Sequence, residues 1–241
     1  MIHDETRDLL QASPDAAAMT GITAADCADF PRLAGALLGG IAGNDGVRAT
    51  VHAAYAEAPA LVETSSHDIS ETARRNFEPG GRAGALLFSR GVQAVMAHRV
   101  AHHLWGQGDQ TRAMALKSVL GRALSTDIHP AARIGPGLWL DHGLGCVIGE
   151  TAVIGRDVSI WHNVTLGSTL TDSGPDRHPK VGDGAVIGAG AVILGNIRVG
   201  AGANVGAGAV VLQDVPDAMT VAGPRGEIRG PAGVRFAPER S

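Results

Sequence analysis

From Ile128 to Val211 an aliphatic residue returns every six positions, with two interruptions. The series runs Ile128, Ile134, Leu140, then Ile148, Ile154, Ile160, Leu166, then Val181, Ile187, Ile193, Val199, Val205, Val211. A period of six fits neither a helix at 3.6 nor one continuous strand at 2. Gly follows eight of these thirteen sites, where the absence of a Cβ lets the chain turn. Ala132, Ala152, Ala185, Ala191, Ala203 and Ala209 stand four residues after an aliphatic site, as a coil with little interior room requires. Each hexad therefore reads as a short strand with one inward side chain and a tight corner. No coil buries its core alone, so the coils must stack into a parallel β-helix. A flexible Gly/Ala segment would not hold branched aliphatics to one phase.

Before Ile128 the period changes. Leu86, Leu87, Val92, Val95, Met96, Val100 and Leu104 recur at short helical steps and predict one helix over about 82–105, followed by a second over 110–125. Segments 31–42 and 45–62 are Ala/Leu-rich without strand alternation, and Glu78-Pro79-Gly80-Gly81 reads as a turn. The expected layout is a helical domain over 1–126, serving assembly and one wall of a site, then a β-helix over 127–223 with an excursion loop at 167–180, then a tail at 224–241. His98, His102 and His103 fall on the predicted helix with no carboxylate or cysteine beside them, so packing or surface placement is expected rather than a metal site.

The formal charge is -4 and no Lys/Arg cluster occurs, which excludes the electrostatic footprint of a nucleic-acid binder. Asp4, Glu5 and Asp8 interrupt the first twenty residues, against a secretory signal. No run approaches the ~20 apolar residues that span a bilayer, so a cytoplasmic protein without membrane contact is expected. Cys27 and Cys146 lack metal or redox spacing and read as buried thiols.

The interruptions hold the chemistry. From Leu140 to Ile148 takes eight residues, and the extra pair lies within Asp141-His142-Gly143-Leu144-Gly145, so this corner must bulge. An imidazole is the side chain suited to general-base work near neutral pH, which singles out His142. Asp127 stands fifteen residues earlier, near one coil if a coil holds three hexads, and is expected to orient that imidazole. Asp141 is expected to point elsewhere. The second interruption is a polar excursion containing Asp176-Arg177-His178-Pro179-Lys180, and loops on a rigid scaffold are where function concentrates.

These motifs resemble serine O-acetyltransferase of the hexapeptide-repeat acyltransferase superfamily. The resemblance runs from about Glu78 to Gly223 through Asp127-Ile128-His129-Pro130, Leu140-Asp141-His142, Gly149-Glu150-Thr151-Ala152, Asn163-Val164-Thr165-Leu166-Gly167 and Asp176-Arg177-His178-Pro179-Lys180. It implies a left-handed parallel β-helix behind an all-α domain, assembled as a homotrimer or a dimer of trimers with active sites between subunits. It implies direct transfer from acetyl-CoA to L-serine, without metal or acyl-enzyme. His142 is then the base, Asp127 its partner, and His178 a positioning or charge-stabilising group. Glu78, Asp141 and Arg177 would hold the amino acid, while Gly167, Ser168, Ala189 and Ala207 would line the path of the acyl carrier. Backbone N–H groups around Gly167 would meet the oxyanion.

Three departures bear on this. Glu78 replaces an Asp in the family pattern, Ser168 replaces a Gly, and the chain ends Pro238-Glu239-Arg240-Ser241, without the C-terminal Ile by which family members dock onto O-acetylserine sulfhydrylase. Docking of that kind is not expected. The alternative acceptor is homoserine or another hydroxy amino acid. A zinc hydratase of the γ-carbonic-anhydrase type needs three His on one metal, and His129, His142, His162 and His178 include no pair close in sequence. An inactive scaffold would be indifferent to loss of His142.

Overall fold

The computed structural model describes residues 1–169, 171 and 174–228. The chain's last four residues and Asp172 and Ser173 of the excursion lie outside the described residues. All thirteen periodic aliphatics and the six spaced alanines are buried, so the hexad rhythm is the core of the molecule. The strands stack in parallel on three faces. The first face carries Asp127–Ile128, Val147–Ile148, Thr165–Gly167, Val192–Leu194 and Val210–Val211. The second carries Arg133–Ile134, Val153–Ile154, Lys180–Val181 and Arg198–Val199. The third carries Trp139–Leu140, Ser159–Ile160, Val186–Ile187, Asn204–Val205 and Thr220–Val221.

Coil length varies where the rhythm breaks. Asp127 pairs with Val147 and Trp139 with Ser159, a coil of twenty residues. Val147 pairs with Thr165 after eighteen. Val153 pairs with Lys180 after twenty-seven, because the excursion leaves the prism and returns.

Eight α-helices precede the prism among the described residues: α1 (Ile2–Gln11), α2 (Pro14–Thr20), α3 (Phe30–Ala42), α4 (Asp45–Glu57), α5 (Pro59–Asn76), α6 (Gly81–Phe88), α7 (Arg90–Gly106) and α8 (Gln110–Leu124). None is long and apolar enough to cross a membrane. The single helix expected over 82–105 is two, divided at Ser89, whose hydroxyl oxygen faces the Val92 N–H at 3.5 Å as an N-cap. Hydrophobic spacing continues through this break because both helices face the same core. Within α7, His98 is buried and stacked on His102 at 5.6 Å, while His103 meets Glu57 at 2.9 Å.

Two arginines lock helices onto the prism. Arg99 of α7 grips Asp68 of α5 with bonds of 3.0 and 3.1 Å and also donates to the carbonyls of Ile134 and Gly135. Asp68 in turn accepts the N–H groups of Gly137 and Leu138 at 2.7 and 3.1 Å. Both charges are buried, and they are tolerable because every strong polar group there has a partner. Arg75 reaches the Val158 carbonyl and Ser159 hydroxyl at 3.2 and 2.9 Å.

Candidate active site

The bulge lies at the corner where the third face returns to the first. Its two extra residues are absorbed by left-handed backbone at His142 (φ 60), Gly143 (φ 73) and Gly145 (φ 67). A non-glycine residue in that region stores strain that the surroundings must hold. Here they do: the Gly145 N–H donates to the Ser125 carbonyl at 2.8 Å and the Asn163 N–H to the Leu144 carbonyl at 2.7 Å. The start of α7 presses on the same corner, where a Cβ on Gly91 would lie 1.7 Å from the Leu140 oxygen. His142 is thereby pushed out, its side chain 66% exposed, while the neighbouring Asp141 carboxylate is 12% exposed and 3.3 Å from its Nε2. The two face an open cleft of about 330 Å³ lined also by Asn76, Glu78, Ser89 and Arg90. Asn76 holds the Glu78 carboxylate at 2.9 Å. Glu78, Asp141 and His142 thus line one cleft.

A second group stands at the next corner, between the first and second faces. The Arg177 guanidinium donates to Glu150 at 2.7 Å, and that ion pair holds the Glu150 carboxyl below its usual range. His178 is buried, with Nδ1 accepting from the Thr151 N–H at 3.2 Å and 2.9 Å from the Thr151 hydroxyl. Nδ1 being an acceptor, the hydrogen-bond network assigns the proton to Nε2. Burial, helped by the Arg177 charge, lowers the His178 pKa, which favours the neutral ring with Nδ1 engaged by Thr151 and Nε2–H left as a donor. Only glycine fits at position 149, since a Cβ there would lie 1.9 Å from the imidazole. His129 belongs to this group too: burial lowers its pKa, and Glu150, Lys117, Asp127 and Arg177 all act on it.

Asp127 is near enough to His129 to act on its charge, and its contact among the described residues is with Lys117 rather than His142. Its carboxylate is 2.5 Å from Lys117 Nζ, and the carboxylate touching His142 is Asp141, whereas the sequence pointed to Asp127 as the partner and to Asp141 as turned elsewhere. The physical reason is the bulge. It lengthens this coil to twenty residues, so a fifteen-residue step falls short of a full turn. The residue one coil on from His142 is His162, and their rings lie 5.5 Å apart. The same corner continues upward through Ala189 and Ala207: the Gly190 N–H donates to the His162 carbonyl at 3.0 Å and the Gly208 N–H to the Ala189 carbonyl at 2.8 Å. Ala189 and Ala207 thus line a column of small residues leading down to His142. Gly167 and Ser168 stand at the other corner, where the Gly149 N–H meets the Leu166 carbonyl at 3.0 Å.

The chain accordingly presents two separate polar groups, His142 with Asp141 and Glu78 at one corner and Arg177 with Glu150 and His178 at another. The tethers of the second, Glu150 and Thr151, stand in a motif quoted from the sequence, which gives them no role in the site. Thr151 and His178 are twenty-seven residues apart, the length of the excursion coil, so that spacing carried the signal.

Residues 178–213 match the family model for bacterial transferase hexapeptide (six repeats). The serine acetyltransferase of Escherichia coli K12 is 46% identical over 184 residues, covering 76% of this chain and 67% of the relative. The chain belongs to the serine acetyltransferase family. Serine acetyltransferase 2 of Arabidopsis thaliana is 47% identical over 157 residues, covering 65% of this chain and 48% of that one; the chain thus spans about half the length of the plant relative and about two thirds of the bacterial one. Among solved structures, a truncated serine acetyltransferase apoenzyme superposes with a TM-score of 0.85 at 38% identity, covering 92% of this chain and 94% of that chain. A serine acetyltransferase in complex with CoA gives 0.83 at 37%, with 92% and 94% covered. The fold is that of the family, a helical domain followed by a left-handed parallel β-helix.

Proposed function

We propose that this protein transfers the acetyl group of acetyl-CoA to the hydroxyl of L-serine in one direct step, with His142 as general base. The observation that carries the reading is the strained corner, which holds an exposed imidazole and two carboxylates around a cleft at the foot of a column of small residues. Glu78 and Asp141 supply negative charge for the ammonium group of the amino acid. His142 takes the hydroxyl proton as the oxygen attacks the thioester carbonyl. Collapse of the tetrahedral intermediate expels the CoA sulfur, and the proton on His142 passes to the thiolate.

The remaining roles need a second copy. Arg177, His178 and Asp127 make no contact with their own His142 among the described hydrogen bonds and ion pairs, and we assign them to the site of a neighbouring subunit in a homotrimer. There Arg177, anchored by Glu150, has guanidinium donors left for the serine carboxylate. His178 offers Nε2–H to the developing oxyanion, and Asp127 orients the neighbour's imidazole. Gly167 and Ser168 would flank the acyl carrier from that side, with Ala189 and Ala207 opposite. A metal has no place in this sequence of steps. The hydratase reading needs three imidazoles at one point, whereas the protomer divides its four two and two, His142 with His162 and His129 with His178. The cytoplasm, where acetyl-CoA and free serine meet, is the compartment this reading assigns.

The test is acetyl-CoA-dependent thiol release across serine, homoserine and other hydroxy amino acids. Serine is expected to give the largest kcat/KM. A larger value for homoserine would transfer the assignment to that acceptor, and no thiol release with any of them would end it.

A further inference from the structure

We infer that the corner holding His142 is also a binding site for a divalent transition metal, Zn²⁺ foremost, made by Asp141, His142 and His162, and that filling it switches the enzyme off. The inhibitory half of this rests on the general-base reading above; the binding half does not. One ligand atom from each of the three residues lies within 4.8 Å of the other two. Asp141 Oδ2 and His142 Nε2 are 3.3 Å apart, about the ligand–ligand edge of a tetrahedron with bonds of about 2.0 Å. The two imidazoles come from successive coils, with centroids 5.5 Å apart and planes at 62°. Their backbones are fixed by the prism, so little has to be ordered when an ion arrives.

The ligand set decides the class of ion. Two imidazoles and one carboxylate suit zinc, cobalt, nickel or copper, whereas magnesium and calcium ask for oxygen. His142 is exposed toward the cleft, which leaves a fourth position open to water. An ion seated between Asp141 and His142 Nε2 would take that nitrogen's lone pair, and an imidazole whose lone pair is bound to metal has none for the serine proton. Occupancy and catalysis therefore exclude each other. The binding should be reversible: His162 Nδ1 is buried with no hydrogen-bond partner among the described residues, so the ring lacks the acceptor that strengthens metal-bound histidine at permanent sites.

The experiment uses the full chain stripped of metal. Co²⁺ is titrated in and the visible absorption of a tetrahedral complex is followed. Zn²⁺ inhibition of acetyl transfer is measured in parallel by loss of thioester absorbance, with chelator added back. The expected result is one cobalt per protomer and inhibition that the chelator reverses. His162→Gln should keep turnover within about threefold without metal, lose the cobalt band, and need at least about tenfold more zinc for half-inhibition, as removal of one of three ligands requires. The inference is overturned by no saturable binding, by binding that His162→Gln leaves unchanged, or by a loaded site with undiminished turnover. Metal-free protein without acetyl transfer would instead sink the proposed function, and the cobalt spectrum would still report on the site.

Discussion

Thr151→Val is the most informative substitution at the corner holding Arg177 and His178, because it removes one oxygen and keeps the shape. That oxygen accepts the N–H groups of Arg177 and His178, each at 3.1 Å, and lies 2.9 Å from His178 Nδ1. At about 1 kcal/mol net for each hydrogen bond, the excursion loop loses about 3 kcal/mol of docking. The prism core is untouched, so far-UV circular dichroism and the thermal midpoint should change little. Turnover should not escape. A misplaced oxyanion donor costs about 10²- to 10³-fold in kcat, and the loss here is expected near the lower figure, with KM for serine raised because Arg177 moves with the loop. Steady-state thiol release over a serine titration measures both, and Thr151→Ser should restore them. A Thr151→Val enzyme within about twofold of wild type, alongside a crippled His178→Ala, would refute the reasoning.

Three further outcomes are expected. Gly91→Ala drives a Cβ to 1.7 Å from the Leu140 oxygen and should lower stability by about 3 kcal/mol or more, read as a fall in thermal midpoint together with lost activity. Burial pushes the His98 imidazole well below the ordinary histidine value; the unfolded chain then takes up a proton the folded chain refuses, so stability is full above pH ~6.5 and falls as pH drops below it, by up to about 1.4 kcal/mol per pH unit. His98→Leu should flatten that slope in denaturant unfolding at pH 7.5 and 5.5, and an unchanged slope would count against it. Lys117→Met removes the cation 2.5 Å from Asp127. With Asp127 free to stabilise the neighbour's imidazolium, the acidic limb of the kcat/KM pH profile should move to higher pH.

The prism was legible because its core obeys a strict rhythm: one inward aliphatic per hexad, each buried where the period places it. His142 was legible for the complementary reason, that a residue added to a rigid coil has nowhere to go but outward. What failed was counting across the interruptions. The partner of His142 was sought fifteen residues away, but the bulge that exposes His142 also lengthens its coil to twenty. The same error hid His162 beside it and Thr151 beside His178. The division between α6 and α7 escaped because Ser89 interrupts the backbone without interrupting the apolar face.

The central claim is that one active site takes its acid–base groups from one copy and its cationic groups from the next. Co-expressing His142→Ala and Arg177→Ala chains under separate tags, and isolating oligomers that carry both, tests it directly. Each chain alone should be nearly inactive. In every trimer that carries both chains, one of the three interfaces pairs an intact His142 with an intact Arg177, so the isolated mixture should recover about a third of wild-type turnover, and mixed oligomers no more active than either parent would contradict the account.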